Sequence, residues 1–238
     1  MSSKNFKYLD DLIHSGTKEI VLDSDIVLGD GEESEDLFFN GIKLDVDGLI
    51  IDGNGHIIDG KEKARIFSCR GKDIIIKNFI LKNAVGSAID NCGKLSIFDS
   101  KFINNMGYGG AVFNRGGDLA IINSEFTNNS AMRLGGAINN RGILNIVNSF
   151  FIKNDAYHAG GAIYNNGELN VKESIFINND APRTGGAICN IGVLNIEHSS
   201  FSDNISFGNG DAIFNNGKFN IKEGIFKNNE IYDCYKDK

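Results

Sequence analysis

Three side chains able to do acid–base chemistry recur at 25-residue spacing: Glu173, His198 and Glu223. Their full column reads Asp99, Asn123, Asn148, Glu173, His198, Glu223. If successive units stack at the strand spacing of about 4.8 Å, the two glutamates lie about 9–10 Å apart with His198 between them. That is near the upper limit for the carboxylate pair of an inverting glycosidase. The adjoining column, Lys172, Glu197, Lys222, alternates sign in the same way. Opposite charges on adjacent strands stabilise by roughly a few tenths of a kcal/mol, so a solvated turn accounts for both columns without catalysis.

A second set precedes each Gly-Gly pair: Ser130/Arg133, Asp155/His158 and Asp180/Arg183. Asp155 and Asp180 could hold Ca²⁺ or, with the neighbouring cations, an anionic sugar. Two aspartates fall short of the roughly 6–8 oxygen ligands that Ca²⁺ takes, and turn solubility explains them equally. No cofactor is expected. The third set is the variable fifth position of a recurring Gly-Gly-Ala-Ile-x-Asn motif: Phe113, Asn139, Tyr164, Cys189, Phe214. Its variability places it on an outward face, where Phe113, Tyr164 and Phe214 could stack on sugar rings or meet a partner. The competing reading is packing under a loop. His56 sits in a tight Gly-flanked turn that suits a structural hydrogen bond. Cys69, Cys92, Cys189 and Cys234 show neither CxxC nor zinc spacing and read as small fillers.

Such columns require residues 25 apart to be brought into register. Gly109–Asn114 (GGAVFN) returns as Gly135–Asn140, Gly160–Asn165 and Gly185–Asn190, then degenerates at Gly210–Asn215; Gly86–Asn91 is a weaker version. Two further segments repeat in phase. One is apolar-x-apolar, from Leu95–Ile97 to Phe219–Ile221; the other centres on Phe102, Phe126, Phe151, Phe176, Phe201 and Phe226. Each unit therefore holds three short strands divided by Gly/Asn turns. One unit cannot enclose a core, so the units must stack. Period-2 alternation excludes a helical reading.

The expected fold is all-β: a single-stranded right-handed parallel β-helix with three short strands per coil, about eight coils and a short N-terminal cap helix. Residues 1–48 would form the cap and first strands, 49–229 the coils and 230–238 a tail, one structural domain in all. The cap helix places Phe6, Leu9, Leu12 and Ile13 on one face and covers an edge that would otherwise invite aggregation. The tail covers the last edge or offers a self-association surface. Asn tolerates left-handed backbone, and its amide can donate to the one stacked above it. Asn128/Asn129, Asn154, Asn178/Asn179, Asn204 and Asn228/Asn229 are thus expected to be structural ladders.

The chain has 31 Asn and 29 Gly, which would suit low complexity, but 41% apolar residues and 17 Phe demand a packed core. A net charge of −7 argues against nucleic acid or an anionic membrane as partner. No 18-residue apolar run occurs, so membrane insertion is not expected. No apolar signal region follows Met1, so the sequence as it stands is expected to be soluble and cytoplasmic.

The segment Ile51–Gly60 (IDGNGHIIDG) resembles the opening coil of pectin-lyase-like β-helix proteins. Together with Arg65-Ile66-Phe67, Ile74–Asn83 and the GGAIxN repeats, it is similar to the adhesin-like proteins of methanogenic archaea. Related repeats occur in bacterial polymorphic outer-membrane proteins. The resemblance covers residues 17–229 and implies display at the cell surface or secretion, with adhesion to a carbohydrate or surface protein. Three functions follow. The first is a non-catalytic adhesin-like solenoid or stalk, favoured by the regular spacing; the second is a polysaccharide lyase or glycoside hydrolase; the third is a cytoplasmic scaffold.

Overall fold

Alternating apolar residues give each strand one buried and one outward face, and the turns keep the strands two to five residues long. The computed structural model describes residues 3–34 and 36–235. It is a parallel β-solenoid with three nine-stranded sheets and one helix at its N-terminal end. Sheet I runs from Glu19–Val21 to Lys218–Lys222, sheet II from Ile26–Val27 to Ile225–Lys227, and sheet III from Ile42–Leu44 to Ile231–Asp233. A small fourth sheet joins Met106–Gly107, Ser130–Ala131 and Asp155–Ala156. Stacking thus begins one coil before Leu49. The tail supplies the last strand of sheet III, pairing Ile231 with Ile213; Lys236–Lys238 lie outside the described residues.

Register follows from identity. Phe102, Phe126, Phe151, Phe176, Phe201 and Phe226 occupy one inward column of sheet II, with successive ring centroids 4.5–5.0 Å apart and planes within 7° of parallel. The rung spacing imposes this near face-to-face stack, whereas isolated ring pairs favour offset or edge contacts. Leucine, isoleucine and valine predominate in the inward columns of sheets I and III, with Phe67, Cys69 and Phe219 among them.

Two left-handed turns divide each coil. Between sheets I and II the turn residue is Asn78, Asp99, Asn123, Asn148, Glu173, His198 or Glu223, with φ of 47–57°. After sheet II it is Asn83, Asn104, Asn128, Lys153, Asn178, Asp203 or Asn228, with φ of 52–55°. A buried side chain follows most of these turns. Ser100, Ser124, Ser149 and Ser174 each accept the N–H of the equivalent residue one coil earlier, at 3.1–3.2 Å. The side-chain oxygens of Asn129, Asn154, Asn179 and Asn204 each take both the backbone and side-chain N–H of the preceding Asn, at 2.8–3.1 Å. A third ladder joins Asn91, Asn114, Asn140, Asn165, Asn190 and Asn215 through 2.7–2.9 Å amide bonds. These bonds satisfy polar groups that would otherwise be buried unpaired.

Helix α1 (Phe6–Ile13) caps the N-terminal end and buries Phe6, Leu9 and Ile13. Asn5 accepts the Tyr8 N–H (3.1 Å), and the Glu32 carboxylate takes the N–H groups of Phe6 (3.1 Å), Lys7 (3.0 Å) and Gly29 (2.7 Å). A carboxylate at a helix N-terminus meets both unpaired donors and the positive end of the helix dipole. At the other end Phe219, Ile221 and Phe226 are half-buried.

Candidate functional site

The outward column of sheet I becomes uniform over its last coils. Asn145, Asn170, Asn195 and Asn220 lie in register on Ile143–Val147, Glu168–Lys172, Val193–Glu197 and Lys218–Lys222. Asn195 donates to Asn170 (2.8 Å) and Asn170 to Asn145 (2.9 Å), so the amides are held in one orientation. Lys172, Glu197 and Lys222 flank them, and a Lys222–Glu197 ion pair closes at 3.0 Å. The result is a shallow groove of about 510 Å³ along the solenoid, lined by these amides and by the flanking charged and apolar side chains.

The column Glu173, His198, Glu223 borders this groove but is a column of turn residues. All three adopt left-handed backbone, with φ of 49°, 47° and 54°. His198 Nδ1 lies 2.9 Å from Glu223, and Nε2 lies 3.5 Å from Glu197. The ion partner of Glu173 is Lys172 at 3.7 Å. The backbone role was hidden in the sequence, although the Asp and Asn at the same position in earlier coils were its signal.

Asp155 and Asp180 form a parallel bridge on adjacent coils. Desolvation raises the Asp155 carboxyl against a 2.9 Å hydrogen bond from Ser130; desolvation and then the charge of Asp155 raise that of Asp180. Asp180 Oδ1 and His158 Nδ1 have no hydrogen-bond partner. His158 is pushed down by desolvation and by Arg183 and Arg133. Among the described residues no group of three or more His, Cys, Asp or Glu side chains is arranged to hold a metal ion.

The fifth motif position points away from the core of sheet III, and the Gly-Gly loops partly cover it. Phe113 is buried beneath Tyr108, with the guanidinium groups of Arg115 and Arg141 at 4.5 and 5.1 Å from its ring centre. Asn139 is buried and donates to the Tyr108 carbonyl (3.0 Å), and Cys189 is buried. Tyr164 and Phe214 keep partly open faces, and Phe214 stacks on Tyr232. Burial pushes the Cys69 thiol up to about 12 and that of Cys189 to about 11, so both are inert fillers. His56 binds Asp25 at 3.1 Å.

Sequence reasoning missed an ionic cluster on the earlier coils, in which buried Arg65 and exposed Arg115 share the buried Asp90. Its members stand at 25-residue intervals with alternating charge, and that spacing was the signal that could have found them.

A family model of the Chlamydia polymorphic membrane protein repeat matches residues 123–141. That stretch contains a left-handed turn (Asn123), a stacked phenylalanine (Phe126), a ladder residue (Asn129) and the GGAI motif. No curated protein matches the chain. No helix among the described residues is long and apolar enough to cross a membrane. Stacked coils and amide ladders make the chain a β-helix repeat protein, and one of its coils is similar to the Chlamydia polymorphic membrane protein repeat.

Proposed function

We propose that the chain is a non-catalytic, adhesin-like solenoid that presents the outer face of sheet I to a surface glycan or protein partner. The observation that carries this reading is the hydrogen-bonded row Asn145–Asn170–Asn195 on a continuous parallel sheet. An amide offers both donor and acceptor, and a row fixed at one repeat distance suits a ligand with its own repeat. Rigid partners forgo little entropy on binding. The match to a polymorphic membrane protein repeat supports the same reading.

The test is to label the purified chain and apply it to glycan and cell-surface protein arrays, beside an Asn170→Lys/Asn195→Lys variant. The reading expects a hit that the variant loses while its thermal midpoint stays within a few degrees. A hit indifferent to the variant would remove sheet I as the binding face.

A second reading, a polysaccharide lyase or glycoside hydrolase, is favoured by the 2.9 Å His198–Glu223 contact on an open turn. Degradation of a uronate or glycan polymer, abolished by Glu223→Gln, would establish it. Inactivity of the wild type across a polysaccharide panel would sink it.

A further inference from the structure

The irregular end of sheet III carries a cleft of about 1020 Å³, at the top of the range of about 300–1,000 Å³ usual for small-ligand sites. Its floor is the outward column Lys43, Ser68, Asp90, set side by side by the parallel register of the first three coils. One wall is the long loop of the first coil, with Leu37 and Phe39; the other carries Tyr108, just before the first Gly-Gly pair. These three side chains are 54%, 44% and 68% exposed.

The floor is rich in donors. Asp90, 5% exposed, receives Arg65 Nη1 at 3.3 Å and Arg115 Nε and Nη2 at 3.2 and 3.1 Å. Arg65 also donates twice to the Gly86 carbonyl, at 3.1 and 2.7 Å. The Arg115 guanidinium lies over the Phe113 ring, which fixes its plane and leaves Nη1 unused. Two arginines thus share one carboxylate and keep one net positive charge. Lys43 and Arg70 also line the cleft, and neither side chain has a hydrogen bond or ion pair among the described residues. Two further carboxylates line the cleft, Asp45, engaged by His14 at 3.0 Å, and Asp36, so the four cations Lys43, Arg65, Arg70 and Arg115 face three carboxylates. Lysine brings three N–H donors and arginine five, so donors exceed acceptors. A neutral ligand leaves this surplus unmet, whereas an oxyanion satisfies it through forked, charge-assisted bonds.

We propose that this cleft binds a small organic oxyanion, a carboxylate or a phosphate ester, whose apolar or aromatic part lies against Tyr108 and Phe39. The site is separate from the sheet I face and does not depend on it.

Benzoate, phenyl phosphate, inorganic phosphate and benzyl alcohol, each titrated into the full chain by calorimetry and amide NMR, supply the test. Benzoate or phenyl phosphate is expected to bind, more tightly than inorganic phosphate, with shifts at Lys43, Ser68 and Asp90 and with affinity that falls as salt rises. Whichever of the two binds more tightly identifies the head group. Lys43→Gln and Arg70→Gln should each weaken binding about tenfold. Lys227→Gln, at the far end of the solenoid, should change it less than twofold. Far-ultraviolet circular dichroism and thermal midpoints verify that the variants fold. Failure of both organic anions to bind at millimolar concentration would overturn the proposal. So would equal binding of benzyl alcohol, or Lys43 and Arg70 variants that behave like Lys227→Gln.

Discussion

The two ends of the solenoid are built by different rules. In sheet I, Ile20, Ile51, Ile76, Ile97 and Ile121 pair in turn, so the first coils contain 31, 25, 21 and 24 residues. From Ile121 through Ile146, Val171 and Ile196 to Ile221 every coil has 25. Equal coils stack like on like, giving unbroken Phe, Ser and Asn ladders. Unequal coils stack unlike residues: opposite charges pair in register as Asp52–Lys77 at 3.2 Å and Asp59–Lys82 at 3.3 Å, and Arg65 reaches Asp90 at 3.3 Å from outside its column. The regular end yields a flat, repetitive face; the irregular end yields a cleft, because its loops differ in length.

The largest effect should come from breaking the regular end. A Cβ on Gly161 would lie 2.1 Å from the Gly186 carbonyl oxygen and 2.5 Å from that of Asp180, both backbone atoms of the next coil. Gly161→Ala is expected to destabilise by more than about 4 kcal/mol, read as a fall in the urea midpoint. Gly55, at the irregular end, has open space around it and φ of +81°. There the same change should be limited to the left-handed backbone penalty of about 1–2 kcal/mol. Equal losses at the two sites would show that the close stacking of the Gly-Gly loops is relaxed in solution.

At the irregular end, Asp90→Ala strands Arg65, which is 9% exposed. Loss of one partner from a buried ion pair costs about 3–5 kcal/mol. Thermal denaturation should show this, and a drop under 1 kcal/mol would mean that water reaches the guanidinium.

A smaller effect has the opposite sign. Glu173 occupies a left-handed turn where Asn123 and Asn148 stand in the preceding coils. Glu173→Asn should stabilise by about 0.5–1 kcal/mol, since Asn enters this region with less strain. A neutral or destabilising result would mean that the glutamate has a role outweighing its backbone.

The smallest effect is a matter of pH. The Asp155 and Asp180 carboxyls are raised in the fold. Their favourable contribution is therefore complete below the ordinary carboxylate value near 3.8 and is lost as pH rises through the higher folded values. At pH 7 the stacked pair opposes folding. Asp180→Asn should raise the thermal midpoint at pH 7, and the gain should vanish below pH 4. A gain independent of pH would assign it to packing.

What the sequence discloses follows the same division. Phe126, Asn129 and Leu144 announce their partners because the same residue returns 25 positions later, so the ladders and the parallel stack were legible. The turn position of Glu173, His198 and Glu223 was masked because left-handed φ is a property of the turn that a Glu or His side chain does not announce. Phe113 was placed on the outward side, yet its cover depends on how Tyr108 and the Gly-Gly loop fold over it, which spacing does not encode. Arg65, Asp90 and Arg115 recur at the 25-residue interval with alternating charge, a signal of the cluster, but their contact depends on unequal coils in which Asp90 pairs in register with Ser68 and not with Arg65.

The central claim is that like residues in successive coils are bonded across the stack, and hydrogen exchange tests it most directly. The backbone N–H groups of Asn129, Asn154 and Asn179 donate to the side-chain oxygen of the next coil's Asn at 3.0–3.1 Å, not to any backbone carbonyl. Measured by amide NMR, they should exchange as slowly as the strand amides of Phe126, Phe151 and Phe176. Exchange at the rate of the exposed loop residues Met132 and Phe207 would contradict the stacked ladder and the fold built on it.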